Sequence, residues 1–344
     1  MFNQGQRPYI IAEIGANHNG DLGLARKHID AAKACGADAA KFQSWDTKLF
    51  SKKVYEDNYF LTDDYRNRDD FTLKEIVNEF ALTVEQLGEL ASYCREVGID
   101  FASTPFEPDQ VDPLVELGAP FVKIASMDVN NDRILSRAAQ SGLPVVMSVG
   151  MASLGEIDRA VSVLEESNVS ELVLLHCTAL YPTPPDEVNL LAMDTLRQFG
   201  HLVGFSDHSL GTSIALGAIA RGAIVVEKHF TLDKDMFGWD HKMSMSPEEM
   251  KVICDGAKEI HAAMGSSRRR VGEREMNQRT AFRRSIVTAR DIKAGEVLAE
   301  DSIVFRRPGV GLDPSLAPQI LGMKVNRDIE FDTMIAMQDL VGKS

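Results

Sequence analysis

The chain has 344 residues, enough for one large domain and a small one. Its net charge of -14 argues against a nucleic-acid-binding surface, and 44% hydrophobic with 26% charged residues is the balance of a soluble globular protein. No apolar run of about 18 residues is present to span a membrane, the opening MFNQGQRPYI lacks the apolar core of a signal peptide, and the widely separated Cys35, Cys94, Cys177 and Cys254 read as reduced core thiols of a cytoplasmic protein.

Tyr9–Ile14 is an apolar run broken only by Glu13, the pattern of a buried strand with one acid, and Gly15–Gly20 is the loop after it. A helix is predicted from Asp21, with Leu22, Ala25, Ile29 and Ala32 at helical spacing and Gly36 as its end. Asp38–Gln43 is the second strand and carries Lys41 and Gln43. Trp45–Phe71 breaks the rhythm as a long loop with Tyr55, Tyr59, Tyr65, Arg66 and Arg68, the length of a functional lid. A short helical piece near Thr72–Glu79 closes it. Thr83-x-x-Gln86 is a capping box opening a helix with Leu87, Leu90, Cys94 and Val97 on its apolar face.

From there strands and helices alternate. Strands are predicted at Asp100–Ser103, Phe121–Ala125, Pro144–Met147, Glu171–Leu175, Leu202–Phe205 and Ala223–Val226. Each ends in a polar burst: Thr104, Ser126-Met127-Asp128, Ser148, His176-Cys177-Thr178, Ser206-Asp207-His208 and Glu227-Lys228-His229. Ser153-x-x-Glu156 caps one helix. Ser246-Pro247-Glu248-Glu249 caps another, whose apolar face is Met250, Ile253, Ala257, Ile260 and Met264. Eight strands alternating with helices over about 260 residues match a (β/α)8 TIM barrel, in which reactive groups sit where the strands end. The competing doubly wound sheet expects a glycine-rich phosphate fingerprint, which Gly15–Gly20 does not supply.

Ser266–Ser285 carries seven arginines and reads as a solvated connector, so the expected division is a barrel over 1–265, a linker over 266–284 and a small mostly-β unit over 285–344. β-like runs at Ser285–Ala289 and Ser302–Phe305 and turns at Lys293–Glu296 and Arg307–Gly309 mark that unit.

The chemistry gathers at the strand ends. A lone histidine there is most often structural, but His208 and His229 end neighbouring strands, where two neutral imidazoles could hold a divalent metal. Asp240 follows on the next loop. Lys41 and Lys123, with hydroxyls from Thr104, Ser126, Ser148 and Ser206, suit a small multiply charged anion such as a phosphate joined to a carboxylate. The plainer alternative is a lysine that only neutralises Glu13 or Asp128.

Ala12-Glu13-Ile14-Gly15-Ala16-Asn17-His18-Asn19-Gly20, Lys41-Phe42-Gln43, Ser103-Thr104-Pro105-Phe106, Lys123-Ile124-Ala125-Ser126, Leu175-His176-Cys177-Thr178, Tyr181-Pro182-Thr183-Pro184, Phe205-Ser206-Asp207-His208 and Glu227-Lys228-His229-Phe230-Thr231 together resemble the sialic acid synthase family. The C-terminal unit, with Asp291–Glu296 and Arg307-Pro308-Gly309, resembles its antifreeze-like SAF domain. The resemblance covers nearly the whole chain. It implies a transferase that condenses phosphoenolpyruvate with an N-acetylmannosamine-type sugar to a nonulosonic acid. It implies a divalent ion on His208 and His229, manganese first, with magnesium or cobalt as alternatives. It implies phosphoenolpyruvate on Lys41, Thr104, Lys123, Ser126, Ser148 and Ser206, and proton handling or orientation by Glu13, Asp128 and Asp240. Gln43, Tyr181, Asp240 and Arg307 fall to the sugar, Arg307 reaching it from the other subunit of a domain-swapped homodimer.

Ala179, Val149, Asp128 and Trp239 depart from the family pattern on the sugar side, so a 2,4-diacetamido-trideoxyhexose, as for legionaminic or pseudaminic acid, is an equal candidate. A phosphorylated sugar would call on Arg66 and Arg68. Two rivals stand beside this reading: another phosphoenolpyruvate–aldose condensing barrel, and a non-catalytic carbohydrate-binding protein.

Overall fold

A computed structural model describes residues 1–57 and 72–343. Arg66 and Arg68, with Tyr59 and Tyr65, lie outside the described residues. The chain divides into two compact units, Met1–Gly265 and Ser266–Ser344.

The first unit contains β1 (Tyr9–Gly15), β2 (Ala39–Ser44), β3 (Asp100–Pro105), β4 (Val122–Ile124), β5 (Val145–Ser148), β6 (Leu172–Cys177), β7 (Leu202–Asp207) and β8 (Val225–His229). All ladders are parallel, in the order β3-β2-β1-β8-β7-β6-β5-β4, and the two end strands are neighbours, so the sheet curls into a barrel. Helices fill the connections. Asp21 caps the helix Leu22–Cys35, and Gly36, at φ 88°, ends it in the left-handed region. Capping boxes at Thr83, Ser153 and Ser246 open three further helices, satisfying backbone donors that the helix itself leaves bare.

Alternation along each strand separates two cores. Outward residues such as Ile10, Ala12, Ile14, Ala40 and Phe42 pack under the helices with Ile29, Ala32 and Leu90. Inward residues Ile11, Ala39, Ala102, Val146, Val173 and Val225 fill the barrel floor with Phe2 and Phe121. The rings of Phe2 and Phe121 lie 5.8 Å apart, closing the bottom.

Three expectations change. Three strands run two or three residues further than apolar content indicates: β6 reaches Cys177, β7 Asp207 and β8 His229, so Cys177, Ser206, Glu227 and His229 are strand residues whose side chains face inward. Met264 is exposed, because the helix Pro247–Met264 ends there. The stretch 266–284, expected as a bare connector, contains the helix Glu273–Phe282, exposed throughout. All four cysteines are free and buried.

The second unit has its own apolar core of Ile286, Ile292, Leu298, Ile320, Val325, Ile329 and Ile335. Two antiparallel pairs surround it, β9 (Ser285–Thr288) with β10 (Ile303–Arg306) and β11 (Met323–Val325) with β12 (Leu340–Lys343). Among the described residues no helix is long and apolar enough to cross a membrane.

Candidate active site

One step of two residues above the apolar floor, the same inward faces turn polar: Ile11 gives way to Glu13, Ala39 to Lys41, Ala102 to Thr104, Phe121 to Lys123, Val146 to Ser148 and Val225 to Glu227. These residues line a cavity of about 320 Å³ at the C-terminal ends of the strands.

At its base lies a buried quartet of charges. Lys41 Nζ is 2.5 Å from Glu13 and 3.6 Å from Glu227, and it donates to Thr104 Oγ1 at 2.8 Å. Lys123 Nζ is 3.6 Å from the other oxygen of Glu227 and donates to Ser148 Oγ at 2.8 Å. Ser206 donates to Glu227 at 3.0 Å. Glu227 thus stands between the two ammonium groups. Burial pushes its carboxyl up, but Lys123 and Lys41 outweigh that and hold it at about 2. Glu13 has one close cation and the nearby Glu227 charge, so burial prevails and its carboxyl is pushed up to about 7. Burial also lowers Lys123. The quartet can therefore take or release a proton near neutrality at Glu13, beside two lysine side chains that face the cavity.

Gln43 donates to Glu13 at 2.9 Å. Gly15, at φ +56°, lets this corner close: a Cβ there would meet Gln43 and Glu13 at 3.3 Å and Asp240 at 3.6 Å. Ser126 Oγ accepts the Gly150 N–H at 2.9 Å, tying the end of β4 to the end of β5.

Above the quartet, the His208 and His229 rings lie 5.5 Å apart, with the Tyr181 ring 4.2 Å from His208 and tilted 36° to it. His208 Nδ1 donates to the Thr178 carbonyl at 3.0 Å, which leaves its Nε2 lone pair free. Burial lowers the His229 pKa, and its buried Nδ1 has no hydrogen-bond partner among the described residues, with Asp240 Oδ2 3.6 Å away. Among the described residues no three His, Cys, Asp or Glu side chains converge as a complete ion site. Two imidazoles are nevertheless a donor set that an open ion site can use, leaving its other positions to water and substrate.

The structure brings Glu13, Lys41, Gln43, Thr104, Lys123, Ser126, Ser148, Tyr181, Ser206, His208, His229 and Asp240 to one cavity. Asp128 does not line it; the side chain is buried in the turn after β4, where it accepts from Asn131 at 3.2 Å. Arg307 belongs to the C-terminal unit, where its guanidinium lies over the Phe282 ring. Sequence reasoning gave no role to Glu227, although it stands two residues before His229 and so on the same strand face. Trp239, expected on the sugar side, is joined there by Trp45, Leu49, Phe50 and Phe106, to which sequence reasoning assigned no site role; the two tryptophan rings of this apolar wall lie 4.7 Å apart.

The chain is 39% identical to the N,N'-diacetyllegionaminic acid synthase of Campylobacter jejuni over 96% of this chain and 99% of that protein. It is 34% identical to the N-acetylneuraminate-9-phosphate synthase of Homo sapiens over 98% and 94%. The structure of an N-acetylneuraminic acid (sialic acid) synthetase from Leptospira borgpetersenii superposes with a TM-score of 0.70 at 32% identity, covering 80% of this chain and 92% of that one. The SAF domain model matches residues 283–341 and the NeuB family model residues 28–269. With a strand-end cavity of this composition and relatives matched along nearly the whole length, the chain belongs to the NeuB family.

Proposed function

We propose that the chain is a nonulosonic acid synthase, a transferase that joins C3 of phosphoenolpyruvate to the aldehyde carbon of an acylamino sugar. Water adds at C2 and phosphate leaves by C–O cleavage. The observation that carries this reading is the buried Lys41–Glu227–Lys123 arrangement ringed by hydroxyls, directly below two imidazoles. Lys41 and Lys123, with Thr104, Ser126, Ser148 and Ser206, bind the phosphate and carboxylate of phosphoenolpyruvate. Glu13, close to neutrality in its titration, exchanges a proton with the reacting atoms, while Gln43, Tyr181 and Asp240 orient the sugar.

His208 and His229 would hold a divalent ion, manganese first. Bound there, it would supply Lewis-acid polarisation of the sugar carbonyl. Arg307 is assigned to the sugar's acylamino group, contributed by the second copy in a domain-swapped homodimer. The reduced, buried thiols suit the cytoplasm.

For the sugar, the wall of Trp45, Leu49, Phe50, Phe106 and Trp239 favours a second reading beside N-acetylmannosamine: a diacetamido-trideoxyhexose, whose methyl and acetamido groups an apolar surface accepts better than hydroxyls. The test is phosphate release from phosphoenolpyruvate, with Mn2+ or with a chelator, across N-acetylmannosamine, its 6-phosphate and diacetamido hexoses. Metal-dependent release with a diacetamido hexose or N-acetylmannosamine is expected. No release with any sugar, in protein that retains no metal, would instead make it a carbohydrate-binding protein.

A further inference from the structure

Asp207 and Lys228 do not line the cavity, although each is the chain neighbour of a histidine that does. Both are almost fully buried, at 1% and 2% exposure. They are directly opposed in the β7–β8 ladder, and alternation turns them to the outer side of the sheet, away from Ser206, His208, Glu227 and His229. Lys228 Nζ donates to Asp207 Oδ2 and to the Ser209 carbonyl, both at 2.6 Å. Asp207 Oδ1 accepts from the Ser209 N–H at 2.8 Å and its hydroxyl at 2.7 Å. The chain on both sides of His208 is therefore fastened to one ammonium, and that ammonium belongs to the residue next to His229.

We propose that the Asp207–Lys228 pair is a positioning device that fixes, from behind the barrel wall, the spacing of the two imidazoles. The proposal rests on the metal role given to His208 and His229 above. A buried ion pair is a weak source of stability, since apolar residues of similar volume often serve as well. What two methionines could not do is anchor both neighbours of His208 to the strand of His229. Metal–imidazole distances tolerate only about 0.2 Å, so that anchoring bears directly on ion affinity.

The test is titration of the full chain with Mn2+ alone, followed by electron paramagnetic resonance, beside thermal melts. Lys228→Met leaves Asp207 buried without its cation and should lower both Tm and Mn2+ affinity. The double variant Asp207→Asn/Lys228→Met removes both charges. It should regain most of the lost Tm, while Mn2+ affinity stays about tenfold or more below wild type. A double variant with wild-type Mn2+ affinity overturns the proposal. Should it fail to fold, Asp207→Glu keeps the charge and shifts the carboxylate by one methylene; weakened Mn2+ binding supports the proposal, and wild-type binding overturns it. His208→Ala separates the two readings. If it binds Mn2+ as wild type does, or wild type takes up none, the metal role falls and this proposal with it. If His208→Ala loses the ion and the double variant keeps it, only the positioning role falls.

Discussion

Floor and mouth of the barrel are built from the same strands, one pleat repeat apart, and they face opposite demands. The floor, from Ile11 round to Val225, is apolar and sealed by Phe2 and Phe121. The mouth, two residues on, buries Glu13, Lys41, Lys123 and Glu227 within about 7 Å of it along each strand. Desolvating four ionisable groups is costly. The apolar layers below and outside the strands offset that cost, so fold stability and reaction chemistry are divided between adjacent rungs of one ladder. Substitutions on the two rungs should therefore fail in different ways.

The largest effect is expected at the mouth. Lys123→Met should cut turnover by 10³-fold or more, about 4 kcal/mol of barrier, with a much smaller loss of Tm, because Lys41 still faces the buried Glu227 that Lys123 leaves behind. A cooperative collapse of Tm in that variant would break the division. Phe121→Ala sits one pleat below and should do the reverse: a loss of about 3 kcal/mol in urea unfolding, with turnover per folded molecule retained.

A smaller effect sharpens the comparison at the rim. Burial lowers His18 to about 3 and His28 and His241 to about 4, from an ordinary 6.5. His241 bonds Thr231 at 2.7 Å and Asn19 at 3.2 Å, linking the loop after β8 to the loop after β1. Above pH 6.5 the imidazoles are neutral in both states and stability is full. As pH falls below 6.5 the unfolded chain takes up protons that the folded chain refuses, so stability drops towards pH 4. Tm should fall by at least ~5 °C between pH 7.5 and 5, and His28→Gln should remove part of that slope; a flat profile in wild type would contradict the linkage.

Much of this was legible in the residues, for identifiable reasons. Apolar runs found all eight strands because parallel strands are buried on both faces. Their ends were misplaced because Ser206, Glu227 and His229 continue the ladder with polar inward side chains, which apolarity cannot register. Glu227 was readable from its two-residue spacing to His229, but its value lies in the two lysines it bridges, which come from strands far away in sequence. The helix Glu273–Phe282 carries no apolar stripe and so left no periodic signal. Asp128 turns into its own loop, and residue type alone does not distinguish such a strand-end acid from one that faces the cavity.

The ring order leaves one joint unlike the rest. β3 and β4 are neighbours, yet among the described residues no backbone ladder joins them. In shape the sheet is a closed cylinder; in bonding it is a ribbon whose two edges meet. Amides along that joint lack a cross-strand acceptor and should lead the barrel strands in deuterium uptake. Thr104 stands on one edge and Lys123 on the other. A doubly charged anion held by both would act as a clasp across the joint, slowing exchange there first and turning the occupied barrel into a hoop.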